Sequence, residues 1–142
     1  MTTTVYSFED TSLTLNHPSV GMFTFVGKGV GSASVTRAND ITQHDVAADG
    51  STMISKVPSR NGNLAIAIQQ TSEGHKFLRK WYNYVETASP SEFAKASATL
   101  KSLSTGETLN MSGVTPQKRA DAAYQANGQQ VTWNLMCAKI TG

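Results

Sequence analysis

Apolar and polar residues alternate along much of this chain, which is the pattern of β-strands that bury one face. The pattern is strongest at residues 64–68 and within 129–140, where apolar side chains occupy every second position from Leu64 to Ile68 and from Val131 to Cys137. Within the first of these strands, Ala65 and Ala67 point to the other face and leave room there for a close neighbour. The two strands are predicted to supply most of the core: Leu64, Ile66, Ile68, Val131, Trp133 and Leu135.

Weaker alternation predicts further strands at residues 4–8, 12–16, 20–26, 94–103 and 108–114. The segment 20–26 has Met22 on one face and Phe23 and Phe25 on the other. Because apolar side chains occupy both faces, we expect a central strand that is covered on both sides.

One helix is predicted between Ser72, a favourable N-cap, and Pro90, which cannot continue a helix. Phe77, Trp81 and Tyr84 recur at helical spacing and form an apolar stripe that is expected to join the core. The basic residues that lie largely off this stripe are Lys76, Arg79 and Lys80.

Residues 32–57 are extended, but their strands have little apolar surface to bury on either face. These strands are predicted at 32–37, 41–47 and 53–57. A hairpin turn is predicted at Asp49-Gly50, and a second turn, centred on Asn61-Gly62, precedes the core strand. Strands of this kind need a surface outside their own monomer, or they line something wet.

Together the elements predict a mainly β fold, an antiparallel β-sandwich or barrel with one flanking α-helix, in a single domain over residues 1–142. Composition then narrows the function. Only 15% of the 142 residues are charged, against about a quarter in a typical globular domain, and the net charge is +2. Serine and threonine supply much of the remaining polar surface. So small a surplus predicts neither tight nucleic-acid binding nor membrane binding. No apolar run approaches the roughly 20 residues of a membrane span, and no secretion signal is expected.

Three features of the sequence are candidates for chemistry: a set of glycines, the cysteine and a polar cluster. Gly27, Gly29 and Gly31 resemble part of a dinucleotide-binding loop, but no helix pattern follows them. A bend or a bulge is therefore the better interpretation. Cys137, the single cysteine, excludes an intrachain disulfide. It alternates with core residues and has no base nearby in sequence, so it is expected to be buried rather than nucleophilic.

The densest polar constellation comprises Asp40, His44, Asp45 and Asp49. Imidazole and carboxylate groups are metal ligands. However, His44 and Asp45 point to opposite faces of a strand and cannot both bind one ion without a bulge. We therefore expect no metal site, no cofactor and no enzymatic activity.

Three segments carry a family resemblance: residues 39–51 with their acidic hairpin, residues 62–72 with a core strand that leads to Gln70-Thr71-Ser72, and the helix as far as Tyr84. In these segments the chain is similar to tail tube proteins, which are small virion structural proteins of tailed phages. The resemblance implies a β-sandwich flanked by a helix. It also implies hexameric rings that stack into a hollow tube, with strands from each subunit around the lumen.

Partners and a location are implied by the same resemblance. The main partner would be the chain itself, and a contractile tail would add sheath, baseplate initiator and tail terminator proteins. DNA would pass through the lumen during ejection without specific binding, since a neutral or acidic wall does not grip phosphates. The protein would reside in the virion tail after assembly in the host bacterial cytoplasm.

The resemblance also suggests two sets of site residues. The lumen or ring-stacking candidates are Asp40, His44, Asp45, Asp49, Lys56 and Arg60, of which the last two could pair with acids of the next subunit. The candidates for an outer, sheath-facing helix surface are Lys76, Arg79 and Lys80.

Other functions stay open at this point. A tail terminator or connector on a related fold would form a single ring that does not elongate. A phage-derived bacteriocin would use the same kind of tube. A ligand- or carbohydrate-binding β-sandwich would instead place Trp81 or Trp133 in an exposed groove.

Overall fold

A computed structural model describes residue 3 and residues 10–25, 30–121 and 124–142. Within these ranges the chain forms nine strands and one helix. They are β1 (Thr11–His17), β2 (Gly21–Phe25), β3 (Val30–Arg37), β4 (Thr42–Val46), β5 (Thr52–Lys56), β6 (Gly62–Gln69), α1 (Glu73–Thr87), β7 (Ala96–Ser102), β8 (Glu107–Pro116) and β9 (Gln130–Thr141). The predicted strand at residues 4–8 lies outside the described residues.

Seven strands form one antiparallel sheet in the order β2-β1-β7-β8-β9-β6-β3, and β4 and β5 form a separate two-stranded sheet. The large sheet curls over on itself. Ala33 of β3, at one edge, lines the same cavity of about 180 Å³ as Leu100 of β7 and Leu109 of β8. The predicted mainly β, antiparallel architecture with one flanking helix is confirmed, although a single curled sheet encloses the core.

The core lies where β6 and β9 pair in register. Leu64 is opposite Leu135, Ile66 is opposite Trp133, and Ile68 is opposite Val131. All six side chains are buried, and each large apolar side chain contributes about 1.5–3 kcal/mol when it leaves water. The inner faces of β1, β7 and β8 complete this core with Leu13, Leu15, Ala96, Ala98, Met111 and Val114.

Helix α1 begins where its local signals predict. Ser72 is the N-cap, and its Oγ accepts a hydrogen bond from the amide of His75 at 3.2 Å. The helix ends at Thr87, and Ala88 is extended before Pro90.

The buried stripe of α1 is centred differently from the predicted one. It runs through Gly74, Leu78 and Trp81, and Phe77 and Tyr84 are half-buried at its margin. Gly74 permits a close approach, since a Cβ there would lie 2.5 Å from a ring carbon of Phe25. The helix therefore packs closely over one face of β2.

The prediction of a central strand at residues 20–26 was wrong. Among the described strands, β2 lies at an edge of the sheet, and its Met22 is 66% exposed. Phe23 and Phe25 face the helix side, and Phe23 stacks on Phe77 with ring centroids 5.5 Å apart. Nothing in the described chain covers the opposite face, so apolar residues on both faces did not mean two covered faces.

Two further details correct the predictions for residues 30–63. Strand β3 belongs to the large sheet, where Val35 pairs opposite Leu64. Its pairing register shifts between Val30 and Ser32, which agrees with the bend or bulge expected at Gly31. Gly62 is the first residue of β6 rather than the centre of a turn. A Cβ there would lie 2.3 Å from the carbonyl oxygen of Thr36, so the β3–β6 pairing requires glycine at this position.

The sequence of residues 120–126 is ambiguous between helix and loop. Residues 117–121 and 124–129 contain no regular element, and residues 122–123 lie outside the described part. No helix in the described ranges has the length and apolar character to cross a membrane.

Candidate self-assembly interface

Strands β4 and β5 form a hairpin, residues 41–57, that stands apart from the large sheet. Thr42 pairs opposite Lys56, and Val46 pairs opposite Thr52. The turn is closed by the amide of Ala47, which donates to the carbonyl of Ser51 at 2.8 Å. Gly50 has a φ of +90°, which suits glycine, so the predicted Asp49-Gly50 turn is confirmed.

Every residue of β4 and β5 is exposed. The exposed residues of the hairpin include large apolar side chains at Ile41, Val46, Met53, Ile54 and Val57. A two-stranded hairpin by itself is at best marginally stable in water. The exposed apolar residues therefore mark a surface that gains stability when another molecule covers it.

The register of the hairpin divides the candidate residues between two faces. Directly opposite residues share a face, so His44, Ile54 and Lys56 lie on one side. Asp45 lies on the other side with Met53. The candidates at positions 40–60 therefore do not form one acidic wall.

The remaining hairpin candidates lie at its two ends. Asp49 is in the turn at the tip, and Asp40 and Arg60 are exposed next to the base. The Oδ1 atom of Asp49 accepts hydrogen bonds from the Oγ and the amide of Ser51. These bonds lower the pKa of the Asp49 carboxyl, so the tip stays ionised.

The charges of the hairpin are not neutralised within the described chain. The ion pairs among the described residues are Lys76–Glu73 and Lys95–Glu92, both at 3.1 Å, and neither involves a hairpin residue. The described residues also contain no group of three histidine, cysteine or carboxylate side chains placed to hold a metal ion.

A cavity of about 390 Å³ opens at the base of the hairpin, and we call it the basic cavity. It is lined by Arg37, Asn39, Ile41, Ser59, Arg60, Ile140, Thr141 and Gly142. The Arg37 Nη1 donates to the carbonyl of Ile140 at 2.8 Å, and the amide of Ile140 donates to the carbonyl of Arg60 at 2.7 Å. Sequence reasoning missed Arg37, because its partner is 103 residues away and no local pattern marks it.

The basic side of α1 is less uniform than predicted. Lys76 and Lys80 are exposed, and Lys76 pairs with Glu73. Arg79 is half-buried, and its Nε has no hydrogen-bond partner among the described residues. The two lysines are therefore the exposed members of this set, and Lys76 already has an ion-pair partner.

The helical pattern places His75 on the polar side of α1, and the structure instead half-buries it against Trp133. The Trp133 Nε1 donates to the His75 Nδ1 at 3.1 Å, which places the proton of a neutral ring on Nε2. Burial lowers the pKa of His75 below 6.5, and the charges of Arg79 and Arg119 lower it further.

The aromatic and thiol candidates lie in the interior. Trp81 and Trp133 are both fully buried, which contradicts the alternative of an exposed tryptophan groove for a carbohydrate. Cys137 is buried as well, and burial raises the pKa of its thiol to about 11. The thiolate needed by a nucleophile is therefore scarce at neutral pH.

Comparison with known proteins identifies the family. The sequence matches the family of the bacteriophage PhiTE tail tube protein over residues 1–142. A search of curated proteins gave no match.

Several solved structures share the fold at low sequence identity. The tube-terminating cap of the anti-feeding prophage has a TM-score of 0.63 at 12% identity, over 99% of this chain and 92% of that one. The sheath/tube terminator of an extracellular contractile injection system, PVC, has a TM-score of 0.60 at 10% identity, over 99% and 98%. A chain of the PVC sheath-tube complex has a TM-score of 0.56 at 11% identity, over 95% of this chain and 88% of that one. The chain belongs to the bacteriophage PhiTE tail tube protein family and has the role of a structural tube component of the virion tail.

Proposed function

We propose that this chain forms the inner tube of a contractile phage tail. Copies would close into hexameric rings, and the rings would stack into a hollow conduit through which DNA leaves the virion. Family membership supports the tube, and a structure with the same fold comes from a sheath-tube complex. The role requires no catalysis, cofactor or metal.

The β4–β5 hairpin carries this proposal. Its strands bury none of their residues, and Ile54 is 66% exposed at the middle of β5. A monomer would leave this apolar surface in water and the hairpin marginally stable. Coverage by neighbouring subunits would remove both penalties, so the hairpin is the proposed ring-stacking element.

The edges of the large sheet support closure into rings. Within the described chain, β2 pairs only with β1, and β3 pairs only with β6. Unpaired strand edges attract further strands. Strand addition between neighbouring copies would satisfy these backbone groups and join the sheets of one ring.

The outer face of β3, β6 and β9 suits a conduit wall. Ser34, Ala65 and Asn134 lie side by side on this face. A parallel row lies on each side of them on the same face. One row is Ser32, Ala67 and Thr132, and the other is Thr36, Asn63 and Met136. None of these nine residues is charged. Such a wall has no cations with which to displace the counterions of DNA, so DNA would pass without specific binding.

The proposed partners are a sheath around the tube, a baseplate initiator and a tail terminator. The structures of similar fold include a PVC sheath-tube complex, a PVC sheath/tube terminator and an anti-feeding prophage baseplate. The exposed Lys76 and Lys80 of α1 are the proposed contacts to the sheath. Assembly would take place in the host cytoplasm.

Electron microscopy of the purified protein tests the tube directly. We expect hollow rods or stacked open rings in a concentration series of the wild type, with or without an initiator complex. Ile54→Asp should prevent stacking, because it places a charge on the proposed contact. Leu103→Asp is the matched control, since Leu103 is 68% exposed and belongs to the β7–β8 turn rather than to the hairpin.

Two results would contradict the proposal. If the protein stays monomeric at every protein and salt concentration, even with an initiator complex, the proposal that it forms a tube is wrong. Single rings that never stack would favour a tail terminator, which is the second candidate because a cap and a terminator share this fold.

A further inference from the structure

The hairpin has opposite charges at its two ends. Asp45 and Asp49 lie towards the tip, and Asp49 is in the turn itself. Lys56 ends β5 near the base, where Arg37 and Arg60 line the basic cavity. The acid next to that base is Asp40, which is not among the lining residues of the cavity. The tip is thus acidic and the base is basic overall.

The tip cannot neutralise the base of its own hairpin. Asp49 lies eight residues beyond Ile41, which lines the basic cavity. Strand β4 alone, between Thr42 and Val46, spans about 13 Å at about 3.3 Å per residue, and Asp49 lies in the turn beyond its end. At physiological ionic strength, charges further apart than about 8 Å are largely screened from each other. Any partner for Asp49 at a basic cavity must therefore belong to another copy.

The basic cavity has the chemistry to receive a carboxylate. Each guanidinium has five N–H donors in a plane, and one nitrogen of Arg37 is held by the carbonyl of Ile140. Arg37 and Arg60 both line a space of about 390 Å³, which has room for a turn residue. Arginine binds carboxylates with two parallel hydrogen bonds when the geometry allows.

The tip is prepared to act as that carboxylate. Both hydrogen bonds from Ser51 go to the Oδ1 of Asp49. The bonds hold the side chain in one position within the turn. Less conformational freedom is therefore lost when a second copy binds it.

We propose that the acidic tip of one copy, through Asp49, docks into the basic cavity of a second copy at Arg60 and Arg37. This inference rests on the proposed tube and names the partner of its hairpin. The two contacting surfaces differ, so the contact is heterologous and leaves a free tip at one end and a free cavity at the other. Such a contact repeats without closing, as stacking requires.

Charge reversal tests the pairing in the full chain. Asp49→Lys and Arg60→Glu should each raise the protein concentration at which rods appear by about tenfold or more. The double variant should form rods near the wild-type concentration. An equal mixture of the two single variants should also form rods. In the mixture, the lysine-bearing tip of the first variant meets the glutamate-bearing cavity of the second, and the unchanged tip of the second meets the unchanged cavity of the first.

Glu86→Lys is the control, because Glu86 is exposed on α1 outside the hairpin and should not change rod formation. Circular dichroism of each variant excludes misfolding as the cause of lost rods. If wild-type rods form and neither the double variant nor the mixture restores assembly, the pairing is wrong and the tube remains. If the wild type stays monomeric throughout, both the pairing and the proposed function are overturned.

Discussion

Ile66 and Ile54 each occupy the middle of a strand and each lie directly opposite an aromatic ring of the neighbouring strand. Ile66 pairs opposite Trp133 and is fully buried, whereas Ile54 pairs opposite His44 and is 66% exposed. Strand propensity and pairing are alike in the two places. What differs is the layer above: the large sheet curls over its own inner face, and no described residue covers the hairpin.

The comparison separates the residues that fold this chain from those available to join it to others. The β6–β9 pair stabilises the monomer through side chains that have already left water. The hairpin keeps apolar surface in contact with water in the monomer. Burying that surface would release free energy, and this happens only when another copy covers it. Substitutions in the two regions should therefore change different measurements.

The largest effect on monomer stability is expected from Trp133→Ala. The substitution leaves a cavity beneath the helix and removes the hydrogen bond to His75. Loss of a large buried aromatic residue costs about 3–5 kcal/mol of unfolding free energy. Urea denaturation measures this, with Met136→Ala as the control on the outer face of the same strand, where the side chain is 49% exposed. Equal losses in both variants would contradict the assignment of the core to one face of β9.

A smaller effect is expected at the start of the helix. The Ser72 Oγ accepts from the amide of His75 and donates to the carbonyl of Gln69 at 2.7 Å. Ser72→Ala should lower the unfolding free energy by about 1 kcal/mol. Thr71→Ala, at the exposed neighbouring position, should leave it nearly unchanged. The prediction fails if thermal unfolding finds the two variants equally stable.

These two elements also show what could be predicted from sequence. The helix limits depended on Ser72 and Pro90, and the main core strands on the alternation in β6 and β9, which are local signals. The edge position of β2 depends on what packs across Met22, and the contact of Arg37 depends on a carbonyl 103 residues away. No local pattern carries that information. The hairpin and the opposite faces of His44 and Asp45 were predictable from local patterns, whereas the register was needed to place Lys56 on the face of His44.

A modest pH dependence should arise at His75. Burial, Arg79 and Arg119 lower its pKa in the folded state below the 6.5 of the free side chain. The unfolded chain therefore binds more protons than the folded chain below pH 6.5. The contribution of neutral His75 to the unfolding free energy is fully present above that pH and is lost as the pH falls towards the folded pKa. The position of His75 in the first turn of a helix also disfavours a positive charge.

Thermal unfolding between about pH 7.5 and pH 5 measures this loss. His75→Asn is the control, because its amide oxygen can accept the Trp133 N–H bond but does not titrate. The wild type should lose more of its melting temperature on acidification than the variant. Identical pH profiles would show that a group other than His75 is responsible for the pH dependence.

The smallest effect on stability is expected in the hairpin, and it is the most informative one. Met53→Ser and Ile54→Ser should change the unfolding free energy of the monomer within about 0.5 kcal/mol, because both side chains are already in water. Each should nevertheless weaken rod formation, since the surface that assembly would bury is lost. A destabilisation similar to that of a core substitution would mean that the hairpin is covered within its own monomer. Unchanged stability with unchanged rods would mean that the exposed apolar residues are not the contact. Unchanged stability with weakened rods is the combination that separates folding from assembly in this chain.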